Sequence, residues 1–366
     1  MRKAAAAGSA VVVKVGSSSL ALPTGGLDES GVERTVRQIE RLRGDGYRPV
    51  LVSSGAVAAG IPALGLTGRP NDVPELQVAA AVGQGLLMHE YARRFGASGT
   101  VVGQVLLTRD VLANRNQYLH AREALLRMLA IGVVPVVNEN DTVVVDELKL
   151  GDNDRLAAIV SHLVGAGMLV ILTDTSGLFS ADPRLDDDAE LLPAVRHTDE
   201  ILDELYRSSG RGRLGSGGVT TKIAAARMAA WSGVPTVVAD ARSDDGPSDA
   251  VAGRDVGTWI EPHASSLSAR RLWIAFGLPP EGRIVIDEGA ARALHSRGSS
   301  LLPVGVVSVE GDFESGSAVE VVDPSGQIVG KGLAGLNANA VREAAGAHSS
   351  VAGGVVIHRD DLVVLG

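Results

Sequence analysis

Short apolar runs alternate along the first 260 residues with longer segments whose apolar positions recur every three or four residues. Val11-Val12-Val13-Lys14-Val15-Gly16 reads as a buried strand closed by a glycine turn. From Asp28 to Tyr47, Val32, Val36, Ile39 and Leu42 fall at helical spacing. The same reading gives a strand over Pro49–Val52 and a helix-rich stretch from Pro74 to Phe95. It continues with a strand from Thr100 to Leu107, a helix from Gln117 to Ala130 and a strand from Val133 to Val137. Thr142–Leu150 alternates as a hairpin would, Asp152–Val164 is helical and Met168–Leu172 is a strand. Thr221–Trp231 is an Ala-rich helix and Pro235–Ala239 a strand. Strand and helix in alternation predict an α/β fold with a mostly parallel sheet covered on both faces. Ligands of such sheets sit beyond the carboxyl ends of the strands.

The pattern changes near residue 260. Glu261–Arg283 carries Pro262, Pro279 and Pro280, as a connector would. Short strands then dominate: Ile284–Asp287, Gly305–Glu310, Ala318–Val322, Ile328–Gly332 and Val355–His358, the signature of a small β-rich domain. The expected division is 1–262, a linker over 263–282, and 283–366. Met1–Ala10 pairs Arg2 and Lys3 with Ala4–Ala7; its apolar stretch is too short for a signal peptide, so a frayed tail is expected.

Composition narrows the chemistry. The 366 residues are 45% apolar, enough for a sizeable core, yet only 3% aromatic, so that core is aliphatic. The absence of cysteine excludes disulfides and thiolate chemistry, and suits a reducing cytoplasmic setting. A net charge of −9 argues against broad binding of nucleic acid or anionic membranes, and no apolar run is long enough to span a bilayer. An anionic substrate would therefore need a locally positive pocket.

Polar clusters follow four of the strands: Gly16-Ser17-Ser18, Ser53-Ser54-Gly55, Asn138-Glu139-Asn140-Asp141 and Thr173-Asp174. Any one would be an ordinary loop; four at one end of a parallel sheet point to a shared site. Lys14 interrupts an apolar strand. It is either a lysine whose head snorkels out at the strand end or a cation aimed at phosphate beside the backbone donors of Gly16–Ser18. Gly215-Ser216-Gly217-Gly218-Val219-Thr220-Thr221-Lys222 runs a glycine-rich loop into a helix. That is either a flexible turn or an anion-binding helix terminus. Its Thr220-Thr221 precede Lys222, which departs from the Walker order. Gly151-Asp152-Asn153-Asp154 holds more polar groups than one helix cap needs. His89, His120, His162 and His197 show no metal-ligand spacing, and Ser54 lacks a His partner in sequence. Together these features suit phosphoryl transfer, which mainly requires positioning and charge compensation; lysines from opposite ends of the chain, backbone donors and magnesium can supply them.

These stretches resemble the amino-acid kinase family, in its glutamate-phosphorylating branch. The resemblance runs through Val13–Ser17, Val52–Gly60, Val137–Asp141, Gly151–Asp154, Leu172–Asp174, Ala181-Asp182-Pro183-Arg184 and the loop ending at Lys222. The C-terminal part is similar to a PUA domain at Asp287–Ala290 and Arg297–Pro303. The resemblance implies a three-layer αβα sandwich binding ATP, with Mg2+, beside L-glutamate. Lys14 and Lys222 would stabilise the phosphoryl group in flight, and Asp154 would organise those lysines. Ser54, Asp141, Asn153 and Asn138 would hold glutamate. Lys14, Thr173, Asp174, Ser216, Gly217, Gly218, Val219, Thr220, Thr221 and Lys222 would line the nucleotide site. No protein metal ligand is assigned. The product would be L-glutamyl 5-phosphate, the first intermediate of proline synthesis, with proline as feedback inhibitor. A homo-oligomer (dimer or tetramer) and coupling to glutamyl phosphate reductase are further implied partners.

Two other readings compete. A kinase of the same fold could act on N-acetylglutamate, aspartate or a nucleotide, although the polar run at Asn138–Asp141 favours a free ammonium. The second domain could bind RNA, but residues 283–366 hold 6 Lys/Arg against 10 Asp/Glu, and a net acidic module is a poor partner for a phosphate backbone.

Overall fold

The computed structural model describes residues 2–112, 114–143, 153–209, 218–264, 266–347 and 354–365. The chain forms two compact units, Met1–Ser266 and Leu267–Gly366. In chain order, the first comprises β1 (Ala10–Val15), α1 (Glu29–Gly44), β2 (Arg48–Ser53), α2 (Ala56–Ala63), α3 (Val73–Gly96), β3 (Val102–Leu107), α4 (Arg115–Ala130) and β4 (Val134–Glu139). There follow α5 (Asn153–Val164), β5 (Met168–Thr173), β6 (Ala194–Arg196), α6 (Glu200–Ser209), α7 (Val219–Trp231), β7 (Thr236–Asp240), α8 (Gly246–Val251) and β8 (Thr258–Glu261).

The eight strands form one sheet in the order β3-β4-β2-β1-β5-β7-β8-β6. All neighbours pair in parallel except β7 with β8. From β1 the chain winds outward through β2 to β3, then returns to β5 on the other side. The carboxyl ends of β1 and β5 therefore flank the topological switch point, where parallel sheets open a crevice. Side-chain alternation decides what faces it from below. Val11, Val13 and Val15 pack into one core with Val32, Val36 and Ile39 of α1 and Leu87, Tyr91 and Phe95 of α3. Val12 and Lys14 point to the opposite face, which α5 and α7 cover. The result is a three-layer αβα sandwich with an aliphatic centre.

Residues 2–9 are not a frayed tail. Ala5 donates its backbone N–H to the Val251 carbonyl. The Arg2 guanidinium donates to the carbonyls of Pro193, Arg254, Val256 and Gly257. Five N–H groups in a fixed fork suit a cluster of turn carbonyls, a match invisible to hydropathy. The hairpin expected over Thr142–Leu150 lies, beyond its first two residues, outside the described residues.

The second unit holds α9 (Ala269–Leu272), β9 (Gly282–Ile286), α10 (Glu288–Arg297), β10 (Val306–Gly311), β11 (Ala318–Val322), β12 (Ile328–Leu333), α11 (Ala338–Ala344) and β13 (Leu362–Val364). Its strands form a sheet in the order β10-β9-β11-β12-β13. Two expectations change. Residues 267–281, read from their prolines as connector, fold into this unit: Leu267, Trp273, Ile274 and Phe276 pack with Leu333, Val363 and Leu365. Val355–His358 is not a strand: Ile357 makes one isolated bridge to Leu301, and the edge is formed instead by the three-residue β13.

Candidate functional site

Lys14 and Lys222 enter the molecule from distant points of the chain and meet at one carboxylate. Lys14, on the α5/α7 face of β1, places Nζ 2.6 Å from Asp154 Oδ1. Lys222, one turn into α7, places Nζ 3.6 Å from Asp154 Oδ2. Thr221 adds a hydroxyl, donating to Asp154 Oδ2 at 2.6 Å. Asp154 is 1% exposed and Lys14 3%. Burial alone would raise the Asp154 carboxyl, but the two ammonium groups and Thr221 together hold it below its ordinary value. Burial, with Lys14 close by, depresses the Lys222 ammonium, while Asp154 opposes that fall. The snorkelling reading of Lys14 does not fit a side chain this buried and paired.

On the β2–β4 side lies a directional hydrogen-bond network. Asn153 Nδ2 donates to Ser54 Oγ and to Asn138 Oδ1, both at 2.9 Å. The Glu139 backbone N–H donates to Asn138 Oδ1 at 2.9 Å and to Asn153 Oδ1 at 3.2 Å. A backbone N–H can only donate, so it fixes which way both amides face. Ser54 thus receives a hydrogen bond and keeps its own proton for an acceptor in the site. Ser53 plays a different part: its hydroxyl is 2.8 Å from the buried Tyr91 hydroxyl, inside the core. Gly55, at φ +110°, turns the chain from β2 into α2, whose first turn carries no acid and no side-chain cap.

Asp141 follows β4 and is 8% exposed. Its Oδ1 has no hydrogen-bond partner among the described residues. Burial raises its carboxyl to about 6, with Arg69 pulling weakly the other way. A buried carboxylate oxygen without a partner suits contact with a cation.

On the β5–β7 side, Thr173 Oγ1 donates to Asp174 Oδ1 at 3.1 Å at the end of β5. The Arg242 guanidinium, clasped by Asp240, donates to the Asp174 carbonyl. α7 follows Gly218, which offers no side-chain cap, and has no acid in its first turn. Its backbone N–H groups and positive end suit phosphate. Gly218, Val219, Thr220 and Thr221 lie there; Ser216 and Gly217 lie outside the described residues. Among the described residues, no group of three or more His, Asp or Glu could hold a metal ion.

The predicted residues thus fall into three adjoining groups at one end of the sheet. Ser54, Asn138, Asp141 and Asn153 lie to one side, Thr173, Asp174 and the start of α7 to the other, and Lys14, Asp154 and Lys222 between them. The sequence reading missed Gln84 of α3, whose Oε1 accepts from Asn138 Nδ2 at 2.9 Å. The available signal was Gly83-Gln84-Gly85: two glycines in mid-helix weaken the helix and need a packing reason.

Comparison with known proteins places this geometry in context. The sequence signature of the amino acid kinase family matches residues 9–240, and that of the PUA domain matches residues 282–352. A glutamate 5-kinase of Geobacter sulfurreducens is 44% identical, covering 97% of each chain. One from Moorella thermoacetica is also 44% identical over 97% of this chain and 96% of its own. A glutamate 5-kinase of Marinomonas sp. is 43% identical over the whole of both. Among solved structures, a UMP kinase from Bacillus anthracis superposes with a TM-score of 0.48 at 13% identity, covering 71% of this chain and 98% of its own. No helix among the described residues is long and apolar enough to cross a membrane.

Proposed function

Because the chain belongs to the amino acid kinase family, we propose a division of labour among its residues for one reaction. That reaction is ATP-dependent phosphorylation of the side-chain carboxylate of L-glutamate, giving L-glutamyl 5-phosphate for proline biosynthesis. The observation that carries the assignment of roles is the convergence of Lys14 and Lys222 on Asp154.

The attacking group is a carboxylate, already ionised at neutral pH, so no base has to remove a proton. The barrier lies in bringing one anion against another and in the charge that spreads over the transferring group. Lys14 and Lys222 supply compensating charge from opposite sides, and Asp154 keeps both ammonium groups aimed. The start of α7 and the Gly16–Ser18 turn offer backbone N–H groups to the phosphates, with Thr173 and Asp174 on the nucleotide side. Asp141 takes the substrate ammonium, and Ser54, Asn138 and Asn153 fix the rest of the amino acid. Mg2+ would ride on the nucleotide's own phosphates and neutralise part of their charge.

The family likeness supports four further proposals: a homo-oligomer, cytoplasmic residence, inhibition by proline, and delivery of the acyl phosphate to a reductase. The acidic balance of the PUA-like unit supports a structural or regulatory part for it, without RNA.

The test is incubation with ATP, Mg2+, glutamate and hydroxylamine. An acyl phosphate is trapped as the hydroxamate. ADP release that depends on glutamate but yields no hydroxamate would refute carboxylate phosphorylation. A panel with aspartate and N-acetylglutamate separates the acceptor assignment from the bond type.

A further inference from the structure

Gln84 lies in the middle of α3, far in sequence from every substrate loop, yet it ends the hydrogen-bond chain that begins at Ser54. It arrives there because α2 and α3 touch backbone to backbone. A Cβ at Gly83 would come within 1.8 Å of the Ala56 carbonyl oxygen, and one at Gly60 within 2.0 Å of the Ala79 carbonyl oxygen. Only glycine permits that approach. Ala56 is the first residue of α2, two positions beyond Ser54, so the contact brings the Gln84 side chain to the substrate loop.

Each link in the chain has one possible direction. The Glu139 backbone N–H donates to Asn138 Oδ1, so Asn138 must turn Nδ2 away from it. That Nδ2 meets Gln84 Oε1 at 2.9 Å. Asn138 Oδ1 also accepts from Asn153 Nδ2, and the same Nδ2 donates to Ser54 Oγ. Gln84 is 8% exposed, and its Nε2 has no hydrogen-bond partner among the described residues. The side chain is therefore tied to the network through its oxygen. If that oxygen were removed, Asn138 Nδ2 would become a buried donor without an acceptor; turning the amide would set Nδ2 against two donors, the Glu139 N–H and Asn153 Nδ2, so an acceptor returns only if Asn153 turns its own oxygen inward as well. Asn153 would then lose the partner that aims it at Ser54.

We propose that Gln84 is a positioning residue for glutamate: its Oε1 locks Asn138 and Asn153 in the one orientation that leaves the Ser54 proton directed at the substrate. It touches neither substrate and acts through Ser54. The proposal rests on the reading that Ser54, Asn138 and Asn153 hold glutamate, and the experiment separates the two.

Initial rates are measured for Gln84→Met, Gln84→Glu, Ser54→Ala and the double variant Ser54→Ala/Gln84→Met, with each substrate varied in turn. Gln84→Met keeps the volume without a good acceptor and is expected to raise KM for glutamate about tenfold or more, leaving KM for ATP within about twofold. Gln84→Glu restores an accepting oxygen and is expected to return KM for glutamate to within about threefold of the parent. In the Ser54→Ala background, Gln84→Met is expected to add less than about threefold, because its route of action is already cut. Thermal melts of each variant identify any loss of fold; should Gln84→Met not fold, the smaller Gln84→Ala reads the same quantity. An unchanged KM for glutamate in the Gln84 variants, or full multiplication of the two effects, overturns the proposal. A purely structural role would move both KM values together and would show no rescue by Glu. If Ser54→Ala itself leaves glutamate binding intact, the reading beneath the proposal fails instead.

Discussion

Asp141→Asn should make the protein more stable and the enzyme worse, and the size of both effects follows from one buried carboxyl. Burial lifts the folded-state value from an ordinary 3.8 to about 6. A raised carboxyl contributes its full share of stability below the unfolded value, and that share is lost as pH rises through the folded one. Two units at about 1.36 kcal/mol each make a penalty of about 3 kcal/mol at pH 8, of which about 1.5 kcal/mol is already present at pH 5. The amide is isosteric and does not ionise, so it escapes the penalty. For a unit of this length, about 3 kcal/mol corresponds to a rise of roughly 5–10 °C in the unfolding midpoint. The same change removes the counter-charge for the substrate ammonium, and losing one partner of a buried charged pair costs about 2–5 kcal/mol, so KM for glutamate should rise by about two orders of magnitude. The assay is thermal unfolding of both proteins at pH 4, 5 and 8, with and without saturating glutamate. The variant should gain most at pH 8 and least at pH 4. Glutamate should raise the midpoint of the parent, whose carboxylate it satisfies, and at the same concentration move the variant much less. A variant no more stable than the parent at pH 8, or a stability gap that ignores pH, would refute the account of Asp141 as an unsatisfied receptor.

Lys14→Met and Lys222→Met should each lower kcat by about 10²–10³, the usual cost of one stabilising donor at a developing charge, in steady-state assays with both substrates saturating. Asp154→Asn removes the group that holds the Lys222 ammonium up, so the pH–rate profile should lose activity at lower pH than the parent as the lysine deprotonates; an unshifted alkaline limb would remove Asp154 from that role. Gly83→Ala forces a Cβ against the Ala56 carbonyl rather than against a pliable side chain, so denaturant unfolding should show a loss of about 1–3 kcal/mol together with a raised KM for glutamate.

Much of the α/β layer was legible because a parallel sheet buried on both faces leaves a strong trace: unbroken apolar strands beside helices of period 3.6. Elements with little apolar area of their own escaped, among them β6, β13 and α8, each short and dependent on neighbours for its pairing. The docked segment around Arg2 escaped for a related reason. Its anchor is a set of carbonyls around residues 193 and 254–257, and no local pattern reports on so distant a partner.

The candidate site divides along the same line. From the sequence came the residue types and the end of the sheet on which they gather, because a polar loop after each parallel strand must lie at the carboxyl edge. Lys14 was conspicuous there because a cation in an apolar strand demands an anion. The family resemblance already named Asp154 as that anion and joined Lys222 to it; the physical reason the three meet is the alternation of β1 and the packing of α5 beside α7. Gln84 is the clearest case of what tertiary structure alone decided. The Gly83-Gln84-Gly85 step in its helix marks a close packing but not the partner; Gly60 and Gly83 let two backbones touch and bring the side chain to Asn138. Periodicity and burial act over a few residues and can be read in order along a chain, whereas the meeting of side chains dozens of positions apart is fixed only once the layers have closed on one another.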